Sequence, residues 1–170
     1  MIDVEATRAA PPPPPPEAPP AMLPGVYLAK RREAAGVPLD VAARALGLVY
    51  GNPSASASGA ADYRNQLQLL ERDELATLGK DATADLLAAL PRVFRFDPNV
   101  WLALLAARTN PDLPVPLICR NCACTWNDAC SDSGGETCGW VNTAVGEPAL
   151  CTMCIGAEGP DGGEELRHAA

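Results

Sequence analysis

Apolar positions do not recur at any helical or strand interval through residues 1–20, where Pro11 to Pro16 runs unbroken; the segment reads as a disordered, proline-rich tail with polyproline II character and no hydrophobic face. A helical rhythm starts at Pro24. "PGVYLAKRREAAG" combines good helix formers, basic residues in its second half and Gly36 as a stop. "LDVAARALG" follows after two residues, with Leu39, Ala42 and Leu46 on one face and Gly47 at its end. Two short helices joined this tightly must cross at a steep angle. Residues 48–60 are a loop by composition, rich in Ser, Gly and Ala with one Asn-Pro step.

"ADYRNQLQLLERDELATLG" returns to helix, with Tyr63, Leu67 and Leu70 a turn apart and Arg64, Asn65, Gln66 and Gln68 on the other faces. Asp81 is placed to cap "ATADLLAAL", which Pro91 ends. Asp97 before Pro98 is an N-cap with proline in the first turn, opening "NVWLALLAART". The pattern predicts five helices over residues 21–109, then a stiff linker at 110–117 containing "NPDLPVP".

Composition and charge narrow the picture. Of the 170 residues 48% are apolar, but many of these are alanine, so the core should be thin. The net charge of −8 argues against indiscriminate coating of nucleic acid. It is unevenly spread: residues 21–110 carry ten Lys or Arg against nine Asp or Glu, whereas residues 111–170 carry two against nine. Neither an export signal nor a membrane span is visible near the start, which predicts a cytoplasmic protein that keeps its thiols reduced.

Seven cysteines lie at 119, 122, 124, 130, 138, 151 and 154. An odd number of thiols in a reducing compartment points to metal ligation rather than to disulfides. Cys119 with Cys122 and Cys151 with Cys154 form two C-x-x-C knuckles with 28 residues between them, a pattern that suits a tetrahedral shell of four thiolates. With Cys124, Cys130 and Cys138 the count also suits two ions sharing one thiolate, which need seven ligands. The crowding of Cys119, Cys122, Cys124 and Cys130 equally suits an iron–sulfur cluster. The cofactor expectation is therefore one or two zinc ions, with an iron–sulfur cluster as the alternative. Trp126 and Trp140 each stand within two residues of a cysteine and are expected to pack over the metal. His168 falls in an acidic, disordered end at 157–170 and is read as a spectator.

"YLAKRREAAGVPLDVAARALGL" and "LQLLERDE" together resemble the phage-repressor or XRE-type helix-turn-helix domain over about residues 24–108. The resemblance implies that the third helix enters the major groove of double-stranded DNA. By position, Arg64, Asn65, Gln66 and Gln68 would then read bases, while Lys30, Arg31 and Arg32 contact phosphates. The sequence departs from the family in its long second connection and in Pro38, which stands where a capping Ser or Thr is common. Residues 118–156, with "CRNCACTWNDACSDSGGETCGWVN" and "PALCTMC", resemble a small cysteine-rich module of bacterial and phage-borne proteins. That likeness implies a metal and a phage or mobile-element origin.

The expected fold class is mainly α: a five-helix helix-turn-helix domain followed by a small, irregular, metal-binding module. The expected function is sequence-specific transcriptional regulation, as a homodimer reading two half-sites, with the acidic module presenting a surface to a protein partner and no membrane involved. Two alternatives stand beside it: a protein–protein adaptor built on a degenerate helix-turn-helix, and an iron–sulfur redox-sensing regulator. Catalysis is not expected, since no histidine, phosphate-cradling loop or carboxylate pair is placed for it within the folded regions.

Overall fold

The computed structural model describes residues 21–51, 57–131, 134–141 and 149–155. The expectations for the proline-rich tail, the acidic end and His168 lie outside the described residues. Among those described the chain is mainly helical, with a C-terminal cysteine-rich cluster. The helices are α1 (Pro24–Ala34), α2 (Leu39–Val49), α3 (Ala57–Glu71), α4 (Leu75–Leu78), α5 (Lys80–Ala89) and α6 (Pro98–Thr109), with a 3-10 turn at Leu90–Arg92. No described helix is long and apolar enough to cross a membrane.

Local chemistry accounts for most of the helix ends. Pro24 starts α1 with a ready-made φ, and Gly36 ends it at φ +66°. Asp97 caps α6 as expected, accepting from the Asn99 N–H at 2.9 Å. Three expectations need correction. α2 runs through Gly47, which is buried inside the helix, and Gly51 at φ +72° takes the left-handed position after it. α3 begins at Ala57, within the stretch read as loop, so the connection between α2 and α3 is residues 50–56. Asp81 does not cap α5; Gly79 at φ +85° is the N-cap, and Asp81 lies in the first turn, where its charge favours the positive helix end.

The long third helix of the sequence reading is also broken in two, at Asp73 with φ +59°. The cause lies 48 residues away. Asp73 Oδ1 accepts the Gly25 N–H at 2.9 Å, so the carboxylate satisfies an orphan donor in the first turn of α1. Gly25 is needed for that approach: a Cβ there would come within 2.4 Å of the Glu71 carbonyl oxygen. Arg32 closes the same contact, forking onto Glu71 with Nε–Oε1 at 2.7 Å and Nη2–Oε2 at 3.1 Å.

α3 packs against both α1 and α2, and α1 packs in turn on α6. Tyr27, Leu28, Leu46, Leu67, Leu70, Leu86, Leu90, Trp101 and Leu104 fill the space between them and are all but inaccessible to water. Each such side chain contributes about 1.5–3 kcal/mol by burial. Packing does not stop at the end of α6. Ile118 and Ala123, from the cysteine-bearing segment, belong to the same buried core as the helices.

Candidate metal centre

Three short backbone pairings fold the cysteine segment. The first turn is closed by Cys119 N–H to Cys124 O and Ala123 N–H to Cys119 O, both 2.9 Å, beside a bridge between Ile118 and Thr125. Ala123 takes φ +58° there, costing about 1–2 kcal/mol, while its methyl is buried in the helical core. The second pairing is Cys138 N–H to Cys130 O at 2.8 Å, next to the Ser131–Thr137 bridge. The third joins Trp140 to Cys151, flanked by Val141 N–H to Leu150 O at 3.1 Å and Thr152 N–H to Gly139 O at 2.9 Å. Arg120 N–H to Ala149 O at 3.0 Å ties the first and last pieces together.

All seven cysteines are free and gather in one cluster. Two sets of four have sulfurs mutually within 4.8 Å: Cys119, Cys122, Cys124 and Cys151, and Cys124, Cys130, Cys138 and Cys151. Individual contacts are 3.7 Å for Cys122–Cys151, 3.6 Å for Cys124–Cys138, 3.6 Å for Cys130–Cys151 and 3.9 Å for Cys122–Cys130. Four thiolates around one ion at about 2.3 Å per bond stand about 3.8 Å apart along a tetrahedral edge. The donor set therefore fits a tetrahedral metal ion. The pairing differs from the expected one: Cys124, not Cys154, completes the set around the first knuckle. Cys154 belongs to neither set of four but is buried in the same cluster, its thiol bonded to Cys151 and Cys122 and its N–H on the Cys151 carbonyl at 2.9 Å.

The thiols divide in how readily they ionise. Burial pushes Cys151 up to about 11 and raises Cys130 and Cys154 as well. Cys124 is raised chiefly by its bond to Cys119, whose thiol is lowered by its bond to Cys122. At Cys138 burial works against ionisation, but bonds with Cys130 and Cys124 outweigh it and bring the thiol down. Several thiolates can coexist here only with positive charge among them. Arg31 and Arg95 are committed elsewhere. Asp128, inside the cysteine segment, binds Arg31 at 2.5 Å and Arg95 at 3.0 Å and occupies both guanidinium groups.

That ion pair fixes the centre to α1. Arg31 is only 3% exposed and also reaches the carbonyls of Arg95 at 3.2 Å and Cys122 at 3.4 Å. Lys30 Nζ donates to the Asn121 carbonyl at 3.2 Å. The expectation that Lys30, Arg31 and Arg32 face phosphates is thereby corrected, because Lys30 and Arg31 grip the first cysteine turn and Arg32 holds Glu71. Of the expected base readers, Arg64 and Asn65 are exposed on α3, whereas Gln66 and Gln68 are half-buried. Arg64 lines a shallow cleft between α2 and α3 with Asp40, Arg44, Ala60 and Ala61.

The two tryptophans divide. Trp140 packs against the cysteine cluster with Leu150, but Trp126 is 78% exposed and covers nothing. Asp128 was not singled out in the sequence because a lone acid in an acidic segment carries no periodic signal. Arg31 had one, standing three and four residues beyond Leu28 and Tyr27 on the buried stripe of α1. Comparison with protein-family models, curated proteins and solved structures finds no match.

Proposed function

We propose that the chain is a sequence-specific DNA-binding regulator whose cysteine centre holds zinc and braces the helical domain from one side. The observation that carries this reading is the outer surface of α3. Ala61, Asp62, Arg64 and Asn65 are exposed together there, while Leu67 and Leu70 anchor the helix from beneath. Arg and Asn are the side chains that pair bidentately with guanine and adenine, and an exposed helix of this kind suits the major groove. The connection over residues 50–56 is closer to the short turn of that family than the composition alone suggested.

The engagement of Lys30, Arg31 and Arg32 within the fold takes the expected basic cluster away from phosphates, so that role passes to exposed cations elsewhere, such as Arg44 beside Arg64. Zinc is favoured over an iron–sulfur cluster because each set of four sulfurs converges at single-ion spacing, whereas a cluster distributes its thiolates over several irons. Selection of duplexes from a random pool with the full chain, followed by titration of the selected site, tests the reading. Arg64→Ala and Asn65→Ala should each cost about 1–3 kcal/mol on that site and relax preference at one position. Failure to enrich any sequence defeats the proposal.

A second reading, a protein-binding adaptor, is favoured by one observation. An apolar cleft between α4, α5 and α6 is lined by Leu75, Leu87, Trp101, Leu102 and Leu105, and Leu102 is about half exposed in it. Binding to a defined duplex that is lost on Arg64→Ala separates the two.

A further inference from the structure

The two sulfur sets are not separate sites. Cys124 and Cys151 belong to both, and the remaining sulfurs of one set touch those of the other, with Cys122 3.9 Å from Cys130. We propose that the centre holds two divalent ions that share the thiolates of Cys124 and Cys151. Cys119 and Cys122 complete one tetrahedron, and Cys130 and Cys138 complete the other. The proposal rests on the reading of the thiols as a metal centre and specifies its stoichiometry and bridges.

Ligand number is the first argument. Two closed tetrahedral shells with no shared ligand need eight thiolates, and the chain has seven cysteines. Sharing two sulfurs needs six, and the union of the two sets is six residues. One ion in the first set would leave Cys130 and Cys138 as neutral thiols against coordinated sulfur. Their segment has almost no other core, since among the described residues only Trp140 and Leu150 join the cysteines as packing partners. A second ion gives that segment a reason to fold where it does.

Charge is the second argument. Two divalent ions in unshared four-thiolate shells carry four negative charges between them; six thiolates around the same two ions carry two. The surroundings penalise the larger value, because residues 111–170 hold nine acids against two basic residues and Asp128 already occupies Arg31 and Arg95. Adjacent ions also repel, and anionic sulfur lying between them offsets that repulsion.

The topology agrees with these assignments. Cys119, Cys122 and Cys124 leave one tight turn, Cys130 and Cys138 face each other across a second pairing, and Cys151 comes from the third. The shared pair would thus join all three pieces through two sulfurs. Cys154 is left outside both sets, closing the turn that aims Cys151.

Cadmium-113 is the probe. The full chain, purified without added metal and then exchanged with cadmium-113, should bind two ions per chain. It should give two tetrathiolate resonances in the cadmium NMR spectrum, each split by the other through the shared sulfurs. One ion per chain, or two unsplit resonances, overturns the proposal. Cys154→Ser should keep both ions and the splitting; loss of an ion in that variant overturns the six-ligand assignment. Elemental analysis of the protein as isolated should give two zinc ions and no acid-labile sulfide, and iron with sulfide would refute it. A chain that binds no metal overturns the metal reading as well, whereas a single bound ion overturns only the shared pair.

Discussion

Asp128→Ala is the most informative single change. It removes the carboxylate that pairs with Arg31, leaving a guanidinium that is 3% exposed with two carbonyl contacts at 3.2 and 3.4 Å. Breaking a buried ion pair from one side costs about 3–5 kcal/mol, because the surviving charge remains desolvated. Asp128 is itself slightly accessible, at 12% of its side chain, so the lower end of that range applies. Arg95, at 58% exposure, is hydrated when released and adds little. A loss of about 3 kcal/mol, against a urea dependence of about 1–3 kcal/mol per molar, moves the unfolding midpoint down by about 1–3 M. Urea titration of the zinc-loaded chain, followed by circular dichroism, measures it. The double variant Arg31→Met with Asp128→Ala should recover most of the loss, since neither charge is then buried alone. Competition with a coloured chelator should show faster metal release from the single variant, whose grip on the Cys122 carbonyl is weakened. A single-variant loss below about 1 kcal/mol, or a double variant no better than the single, would refute the argument.

Gly25→Ala should destabilise by about 1–3 kcal/mol, read as a fall in thermal midpoint, because its methyl meets backbone at Glu71 and α1 must move off α3. Burial pushes Tyr27 up to about 12, above its ordinary value near 10, so the folded chain favours the neutral phenol. The stability this provides is complete below about pH 10 and disappears as pH rises through about 12. Tyr27→Phe should remove that part of the alkaline loss in paired titrations and cost about 1 kcal/mol at neutral pH, where the Asp97 N–H loses its acceptor. Trp126→Ala should leave stability and metal content unchanged, while Trp140→Ala should speed metal release; equal effects would contradict their different burial. Stripping the metal should lower the unfolding midpoint of the helices as well as of the cysteine segment, because Ile118 and Ala123 lie in the common core.

What could be read in advance depended on how far away the deciding contact was. α1 and α6 carry their own start signals in Pro24 and in Asp97 followed by Pro98, and both begin as expected. The break between α3 and α4 could not be read locally, since Asp73 turns left-handed to serve an N–H 48 residues earlier. The spacing of the cysteines announced a cluster able to hold a metal, but their grouping depends on how the turn at Cys151 approaches the first one, and this places Cys124 where Cys154 was expected. The basic run at Lys30 to Arg32 resembled an exposed cationic surface because its partners, Asn121, Asp128 and Glu71, lie far along the chain.

The anchoring of the first cysteine turn on α1 constrains how such a chain can be reshuffled. A recombination event that exchanged everything after α6 for another cysteine-rich segment would strand Arg31 in the helical half and uncover the surface that Ile118 and Ala123 fill. Only donors with an acid aligned to Asp128 and a small residue aligned to Ala123 would be compatible. The junction at residues 110–117, read from the sequence as a stiff linker, is therefore a poor crossover point, and the two halves should be inherited together.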